Sequence, residues 1–433
     1  MKKTLLALAL TGLATSSFAY VNVFTSADGR SYVSVGADLR AIYSYEDKTT
    51  SLYNRSTAAD DYKSTYGFRT RFTLNGKAWL NPTTNLGFHA RVGAQWVSTH
   101  ATVQNTTVSR TRVGYPYATY FTTKKSLVYT NNRGNTKLHD HSVTDPRFER
   151  LYVYFENFSF GKVTIAPGLA NIANQEQGAA DQNDFGTSTN YVSTPYSASS
   201  DAYLLYADWT LRYDLTSNPN VPYRFAVSTS AKRSTNTFAD GNYKYDRDMQ
   251  ASFGWKFDRN NSVYLNVTGR RVANGSTNFT GYTNTLAFEL FADVRPVPGY
   301  NNLRLRANIS TSKQNRDTWT RANYSTSVGF DVAHYDTFVK GLTLYTGYIY
   351  KYSKSNYSTS TQLFRYTKDK FAYLGGEYYI YDSYQGDAFT LKYFVEGLRS
   401  NSSQSNNTGS TTTRGTLNHL QNTQVATGFR LFY

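Results

Sequence analysis

From Val33 onward the chain alternates between apolar and polar side chains with a period of two, and the alternation persists over long runs. The odd positions read Val33, Val35, Ala37, Leu39, Ala41, Tyr43 and Tyr45, and the even ones Ser34, Gly36, Asp38, Arg40, Ile42, Ser44 and Glu46. A second run sets Phe68, Thr70, Phe72, Leu74, Ala78 and Leu80 against Arg69, Arg71, Thr73, Asn75 and Lys77. After the turn Asn81-Pro82-Thr83-Thr84-Asn85, a third sets Leu86, Phe88, Ala90, Val92, Ala94 and Trp96 against His89, Arg91 and Gln95. Successive residues of a strand point to opposite faces, so each run is a strand with one greasy and one polar face. The runs last roughly 10 to 15 residues, longer than soluble strands and suited to a tilted bilayer crossing. Tyr43, Tyr45, Tyr66, Phe68, Trp96, Trp255 and Phe257 lie toward the ends of the apolar faces, where interfacial girdles form. The pattern predicts an all-β fold, a transmembrane antiparallel β-barrel of about 16 strands.

Further strands are expected near 148–157, 161–168, 202–214, 222–232, 247–257, 262–270, 284–295, 302–312, 323–334, 341–353, 370–382, 388–399 and 421–433. Short connections rich in turn formers, such as Thr216-Ser217-Asn218-Pro219-Asn220 and Asp258-Arg259-Asn260-Asn261, alternate with longer polar ones. The longer ones are expected near 47–64, 98–146, 169–201, 233–245, 271–283, 354–368 and 400–418. That asymmetry is the one between periplasmic turns and external loops. Val113 to Tyr129 has room for an extra hairpin, so a count of eighteen stays open. No internal repeat or change of composition divides the chain, and 20–433 reads as one domain.

Composition agrees with an exported barrel. Lys2 and Lys3, the apolar run Leu5 to Leu13, and Ser17-Phe18-Ala19 make residues 1–19 a signal peptide cleaved before Tyr20. No later run approaches the roughly 20 apolar residues a membrane helix needs. A mean hydropathy of −0.55 is what a chain with only alternate residues in lipid should show. With no cysteine, disulfides and thiolate metal sites are excluded, and no cofactor or metal is expected. The net charge of +16 is dispersed through the strands rather than gathered in a tail. Together with export, that argues against nucleic acid as a partner.

Certain motifs carry a resemblance. Val425-Ala426-Thr427-Gly428-Phe429-Arg430-Leu431-Phe432-Tyr433 resembles the terminal strand that barrel-assembly machinery reads, with Phe429, Leu431 and Tyr433 as the signal, although Phe is commoner than Tyr at the last place. Asn22-Val23-Phe24-Thr25-Ser26-Ala27-Asp28-Gly29-Arg30 resembles the opening hairpin of the trimeric, 16-stranded general porins of enterobacteria and Pasteurellaceae. Asp184-Phe185-Gly186 resembles part of that family's third-loop motif, without its flanking Pro and second Gly. The resemblance implies a third external loop, about Gly168 to Asp201, folded into the lumen and presenting Glu176, Asp181 and Asp184. It also implies a homotrimer, outer-membrane lipid and lipopolysaccharide as surroundings, assembly machinery as a partner, and passive diffusion of small hydrophilic solutes.

Such a channel works by a size limit and a field across its narrowest part. Arg40, Arg69, Arg71, Lys77, Arg91 and Arg150 occupy polar-face positions on the first four long strands and predict one basic wall. With Asp38 the only nearby acid, these cations cannot all be paired locally, and a weak anion preference is expected. Arg212, Arg224, Lys256, Arg304, Arg306, Lys351, Lys392 and Arg430 are further lumen candidates, as are the acids Asp208, Asp248, Glu289, Asp293, Asp331, Glu377 and Glu396. Tyr152, Tyr154, Tyr206, Tyr264 and Tyr345 could line a sugar track or merely fill and stiffen the wall, and filling is the stronger reading. A substrate-selective channel is the alternative function. An enzyme would need a catalytic group, and the one suggestive cluster, His139-Asp140-His141, reads as a solvated loop because adjacent residues of an extended chain point apart. An adhesin role would use the external loop at 98–146.

Overall fold

A computed structural model of the chain describes residues 21–52, 59–104, 127–130, 135–167, 208–215, 221–237, 243–258, 261–273, 282–297, 299–316, 322–356, 362–381, 390–408 and 418–432. After the short β1 (Val21–Thr25) come the long strands β2 (Tyr32–Leu52), β3 (Ala59–Asn81) and β4 (Thr84–Gln104). A four-residue β5 (Leu127–Thr130) precedes β6 (Asn135–Asn157), β7 (Gly161–Pro167) and β8 (Trp209–Asp214). Then follow β9 (Tyr223–Thr237), β10 (Tyr243–Lys256), β11 (Ser262–Ala273), β12 (Tyr282–Val294) and β13 (Leu303–Arg316). The last five are β14 (Asn323–His334), β15 (Leu342–Asn356), β16 (Gln362–Tyr381), β17 (Thr390–Thr408) and β18 (Asn418–Phe432).

All but β1 and β5 pair antiparallel with their neighbours in chain order, and β18 returns to pair with β2, so sixteen strands close into a barrel. Closing the ring of sixteen leaves no first or last strand with an open edge, which is what a bilayer requires of a sheet. The fifth strand adds a short hairpin to the outer end of β6, with Leu127 opposite His139, and leaves the ring at sixteen. β1 pairs with the foot of β2, Asn22 opposite Ser34, below the point where β18 ends at Phe432 opposite Asp38. The turn that joins β1 to β2 holds Gly29 at a φ of 71°, a left-handed conformation that favours glycine. Ser26 Oγ and the Arg30 amide both donate to the Asp28 carboxylate. Those two bonds, the hydroxyl first, hold Asp28 below the usual carboxylate range.

The external connections are shorter than the sequence suggested. β2 continues to Leu52 and β3 begins at Ala59, while β4 reaches Gln104 and β6 starts at Asn135. Beyond the bilayer both faces of a strand are wet, so the alternation that marks it fades although the pairing goes on. His139-Asp140-His141 is corrected in the same way: it lies within β6, opposite His100, Thr99 and Ser98, rather than in a loop. Residues 1–20, 105–126 and 168–207 lie outside the described residues, and with them the signal peptide, Tyr206 and the third-loop acids Glu176, Asp181 and Asp184.

The barrel is inside out relative to a soluble protein. Outward Met249 and Leu374 are 70% and 67% exposed, whereas inward Glu289 and Asp331 are each 1% exposed. Exposed apolar side chains on one face and buried charges on the other are stable only if lipid surrounds the wall and polar partners fill the interior.

Aromatic rings and glycines lace neighbouring strands together. On β16 the Tyr373 ring lies across Gly347 of β15, and its hydroxyl donates to Asp331 Oδ2 on β14 at 3.2 Å. On β15 the Tyr345 ring lies across Gly375 of β16 and donates to Glu396 Oε2 on β17 at 2.8 Å. Each acid is in direct register with the glycine that the ring crosses. At the closing seam, Phe394 of β17 crosses Gly428 of β18 and packs on Ile42 of β2, the residue in register with that glycine. A hydroxyl-bearing ring thus ends on a carboxylate and a bare ring on an apolar side chain. At Gly347 and Gly375 any Cβ would overlap the ring, and at Gly428 it would meet the Ala41 carbonyl oxygen first and the Phe394 ring next.

Candidate functional site: the lumen wall

Direct cross-strand register brings four cations into one row on the inner face. Lys392 of β17 is opposite Arg430 of β18, Arg430 is opposite Arg40 of β2, and Arg40 is opposite Arg69 of β3. Directly opposed like charges destabilise a sheet, so the row needs counter-charge. Asp38, two residues before Arg40 on the same face, supplies most of it. It accepts from Arg430 Nε and Nη2 at 3.0 Å each, and from Arg40 Nη2 at 3.1 Å. Arg71 Nη1 stands 3.9 Å from the same carboxylate. Lys392 Nζ donates to Glu377 Oε2 at 2.7 Å, both side chains being buried. The row spans the seam, so it exists only when the barrel is closed.

Of the cations expected to share one wall, some meet in or beside this row and others do not. Arg40, Arg69, Arg71 and Arg91 face inward on three adjacent strands, and the backbone of Arg150 on β6 pairs with that of Arg91. The Arg150 side chain lies outside the description. Lys77 does not belong to the row: it is opposite Tyr32 at the periplasmic foot of β2, eight positions along β3 from Arg69. Alternation fixes the face of a residue and not its depth. There Lys77 Nζ lies 3.5 Å from Glu156 Oε2, and Asn85 donates to the same oxygen at 2.8 Å. Glu156 is the acid the sequence reading missed; it lies on β6, with a whole strand between it and Lys77. Arg430 and Lys392 were legible as inward residues, but their membership of this row depends on β18 meeting β2.

Half-way round the ring from this row stand β10 to β12. Their inner face carries Asp248 and Glu289, both buried. Glu289 Oε2 accepts from Asn266 at 3.3 Å, and Asp248 accepts from Gln250 at 3.3 Å. On the adjoining β13 and β14, Arg306 clasps Asp331 through two nitrogens at 3.0 Å each, and Arg304 of β13 pairs back with Asp293 of β12. A buried bidentate pair such as Arg306–Asp331 fixes side chains more than it adds net stability. The inner wall thus holds oriented, immobile charges. That suits it to steering ions and dipolar solutes. Among the described residues, no group of three or more His, Cys, Asp or Glu is placed to hold a metal ion.

No protein-family model matches the sequence, and no curated protein matches it. Solved structures do. In-vitro folded OmpT, an outer membrane protein of Vibrio cholerae, matches with a TM-score of 0.55 at 10% identity, over 95% of this chain and 99% of that one. Outer-membrane expressed OmpT of the same organism matches at 0.53 and 10% identity, over 95% and 100% of the two chains. A loop L8 deletion mutant of that protein matches at 0.50 and 12% identity, over 92% and 99%. The fold is that of an outer-membrane, multi-pass β-barrel. At these identities the likeness concerns architecture.

Inward tyrosines were expected to fill the wall or to form a track. Tyr154, Tyr264 and Tyr345 lie against Gly87, Gly254 and Gly375, and Tyr152 stacks on His89 with centroids 4.9 Å apart. Rings lying flat on the wall are occupied in packing. At the last strand, Phe429 and Leu431 point outward and Arg430 inward, while Tyr433 lies outside the described residues.

Proposed function

We propose that this protein is an outer-membrane general porin: a water-filled channel for passive diffusion of small hydrophilic solutes and ions, with a weak anion preference. The observation that carries the reading is the row Lys392–Arg430–Arg40–Arg69 on the inner face of a closed barrel. Low-dielectric walls focus such a field and raise the local concentration of counter-ions. Asp38 and Glu377 offset part of the charge, which is why the preference is weak. Passive diffusion asks nothing of the protein beyond shape and field, and this reading assigns it no enzymatic turnover. The flat-lying tyrosines favour a general channel over a sugar-selective one.

The same reading proposes that residues 1–19 are a cleaved signal, that outward Phe429, Leu431 and Tyr433 serve barrel assembly, and that Glu176, Asp181 and Asp184 narrow the lumen. It further proposes a homotrimer packed through the β2–β4 surface, where outward Ala37, Ala90 and Ala94 would let walls approach closely. The deciding experiment is conductance and zero-current potential of the refolded protein in a planar bilayer under a potassium chloride gradient. Large ohmic steps with a modest anion-signed potential are expected. A cation-signed potential would refute the selectivity assignment, and silence from folded protein would refute the channel.

A further inference from the structure

Three of the chain's six histidines come together on one face of two neighbouring strands. His139 and His141 are alternate residues of β6 and share a face, with Asp140 between them on the other. Register supplies the third, because His100 of β4 stands directly opposite His139. The pairing runs unbroken from Gln95 opposite Thr144 to Gln104 opposite Asn135, so no bulge turns any of the three positions to the other face. On the far edge of β6, Leu127 of β5 is also opposite His139, which gives that histidine a paired strand on each side. The side chains of all three histidines lie outside the description, and the placement is that of the backbone. No local pattern joins His100 to His139; the sequence offers two histidines where the fold makes a triangle of three.

The face is the outer one. Trp96, exposed and outward, precedes Ser98 and His100 at steps of two along β4, and the exposed Tyr66 of β3 is in register with Ser98. His100 lies four residues beyond Trp96, roughly 13 Å at about 3.3 Å per residue, past the interfacial girdle and into external water. The size of the triangle suits one small cation. Opposed positions of an antiparallel pair stand about 4.5–5.5 Å apart and diagonal ones about 7–8 Å. Imidazoles rooted at such spacings can bring three ring nitrogens to the roughly 2.0–2.1 Å that a zinc–imidazole bond requires. Three protein ligands also leave a fourth tetrahedral place for water. Imidazole nitrogen suits zinc, copper and nickel, whereas calcium and magnesium take oxygen.

We propose that His100, His139 and His141 form a site for one divalent transition-metal ion, zinc above all, on the outer rim of the barrel beyond the membrane. The bound ion ties β4 to β6 at the level where the β5 hairpin joins β6. The site is independent of what passes through the lumen.

The test uses the full chain refolded in detergent micelles and stripped with a chelator, then titrated with zinc chloride by isothermal calorimetry and with cobalt(II) by visible absorption. Wild type should take up one equivalent of zinc. Cobalt should give the intense visible bands of a tetrahedral nitrogen site rather than the faint ones of the hydrated ion. His100→Gln, His139→Gln and His141→Gln should each weaken zinc binding at least about 100-fold, the upper end of what loss of a supporting contact costs. His419→Gln on β18, separated from β4 by β2 and β3, should leave binding unchanged. Millimolar calcium or magnesium should not compete. Heat-modifiable migration on gels certifies that each variant is folded, and the wild-type stoichiometry and cobalt spectrum decide the matter without any variant. Full zinc affinity in any one of the three folded variants overturns the proposal, as do faint cobalt bands or displacement of zinc by calcium.

Discussion

The lacing of Tyr373 across Gly347 can be broken with a single methyl group. An added Cβ at Gly347 would come within 2.7 Å of Tyr373 Cε1 and closer still to the hydroxyl end of the ring. Because the obstruction is the hydroxyl end of a buried, packed ring, the ring must lift, and the bond from its hydroxyl to Asp331 is lost with it. Overpacking of this kind costs about 1–3 kcal/mol. A hydrogen bond to a charged group contributes about 1.5–3 kcal/mol, and the low end applies because Arg306 still holds Asp331. Replacing glycine within a strand returns about 0.5–1 kcal/mol. Gly347→Ala should therefore destabilise the barrel by about 2–4 kcal/mol. Tyr373→Phe should cost less, since the ring keeps its seat. The discriminating variant is the double mutant. With Tyr373→Ala as background, Gly347→Ala has nothing to strike and should be neutral or slightly stabilising. Equilibrium urea unfolding in lipid vesicles, followed by tryptophan fluorescence, measures all four corners of this cycle. If Gly347→Ala costs the same with and without the Tyr373 ring, the lacing is not what the glycine serves.

Asp38→Asn removes the carboxylate shared by Arg40 and Arg430 and should destabilise the barrel by about 3–5 kcal/mol. The same change should move the zero-current potential further toward anions, as a planar bilayer would show. Lys77→Met, at the periplasmic foot beside Glu156, should change that potential far less than Arg40→Gln; equal effects would place Lys77 in the constriction after all. Asp28 is held below its usual range in the folded hairpin, so its stabilisation is complete above the ordinary carboxylate pKa and fades as pH falls through the depressed value. The protection factors of β1 amides, corrected for the intrinsic exchange rate at each pH, should accordingly fall on acidification in wild type and much less in Asp28→Asn.

The faces of the strands were legible in the sequence because lipid on one side and water on the other impose a period of two wherever the chain crosses the bilayer. That is why Arg40, Arg69, Arg71 and Arg91 were found on the lumen side. Depth was not legible, since alternation is the same at Lys77 as at Arg69. Strand ends were missed at Leu52, Ala59, Gln104 and Asn135 because water on both faces erases the signal there. Partners far apart in sequence were missed for another reason: no local pattern announces that Glu156 meets Lys77, or that Arg430 shares Asp38 with Arg40. The glycines at 347 and 375 looked like ordinary small residues, because what makes them necessary is a ring on the adjacent strand.

The seam between β18 and β2 has a consequence for biogenesis. Arg430 reaches an aspartate 392 positions earlier in the chain. Until the last strand docks, β2 and β17 both show open edges, and Asp38 faces Arg40 without the arginine that completes its shell. Hydrogen-bond closure and charge balance of the lumen are thus achieved in one step, by the docking of β18 on β2. A barrel in which β18 has not docked on β2 fails both conditions together and shows the failure as two open strand edges.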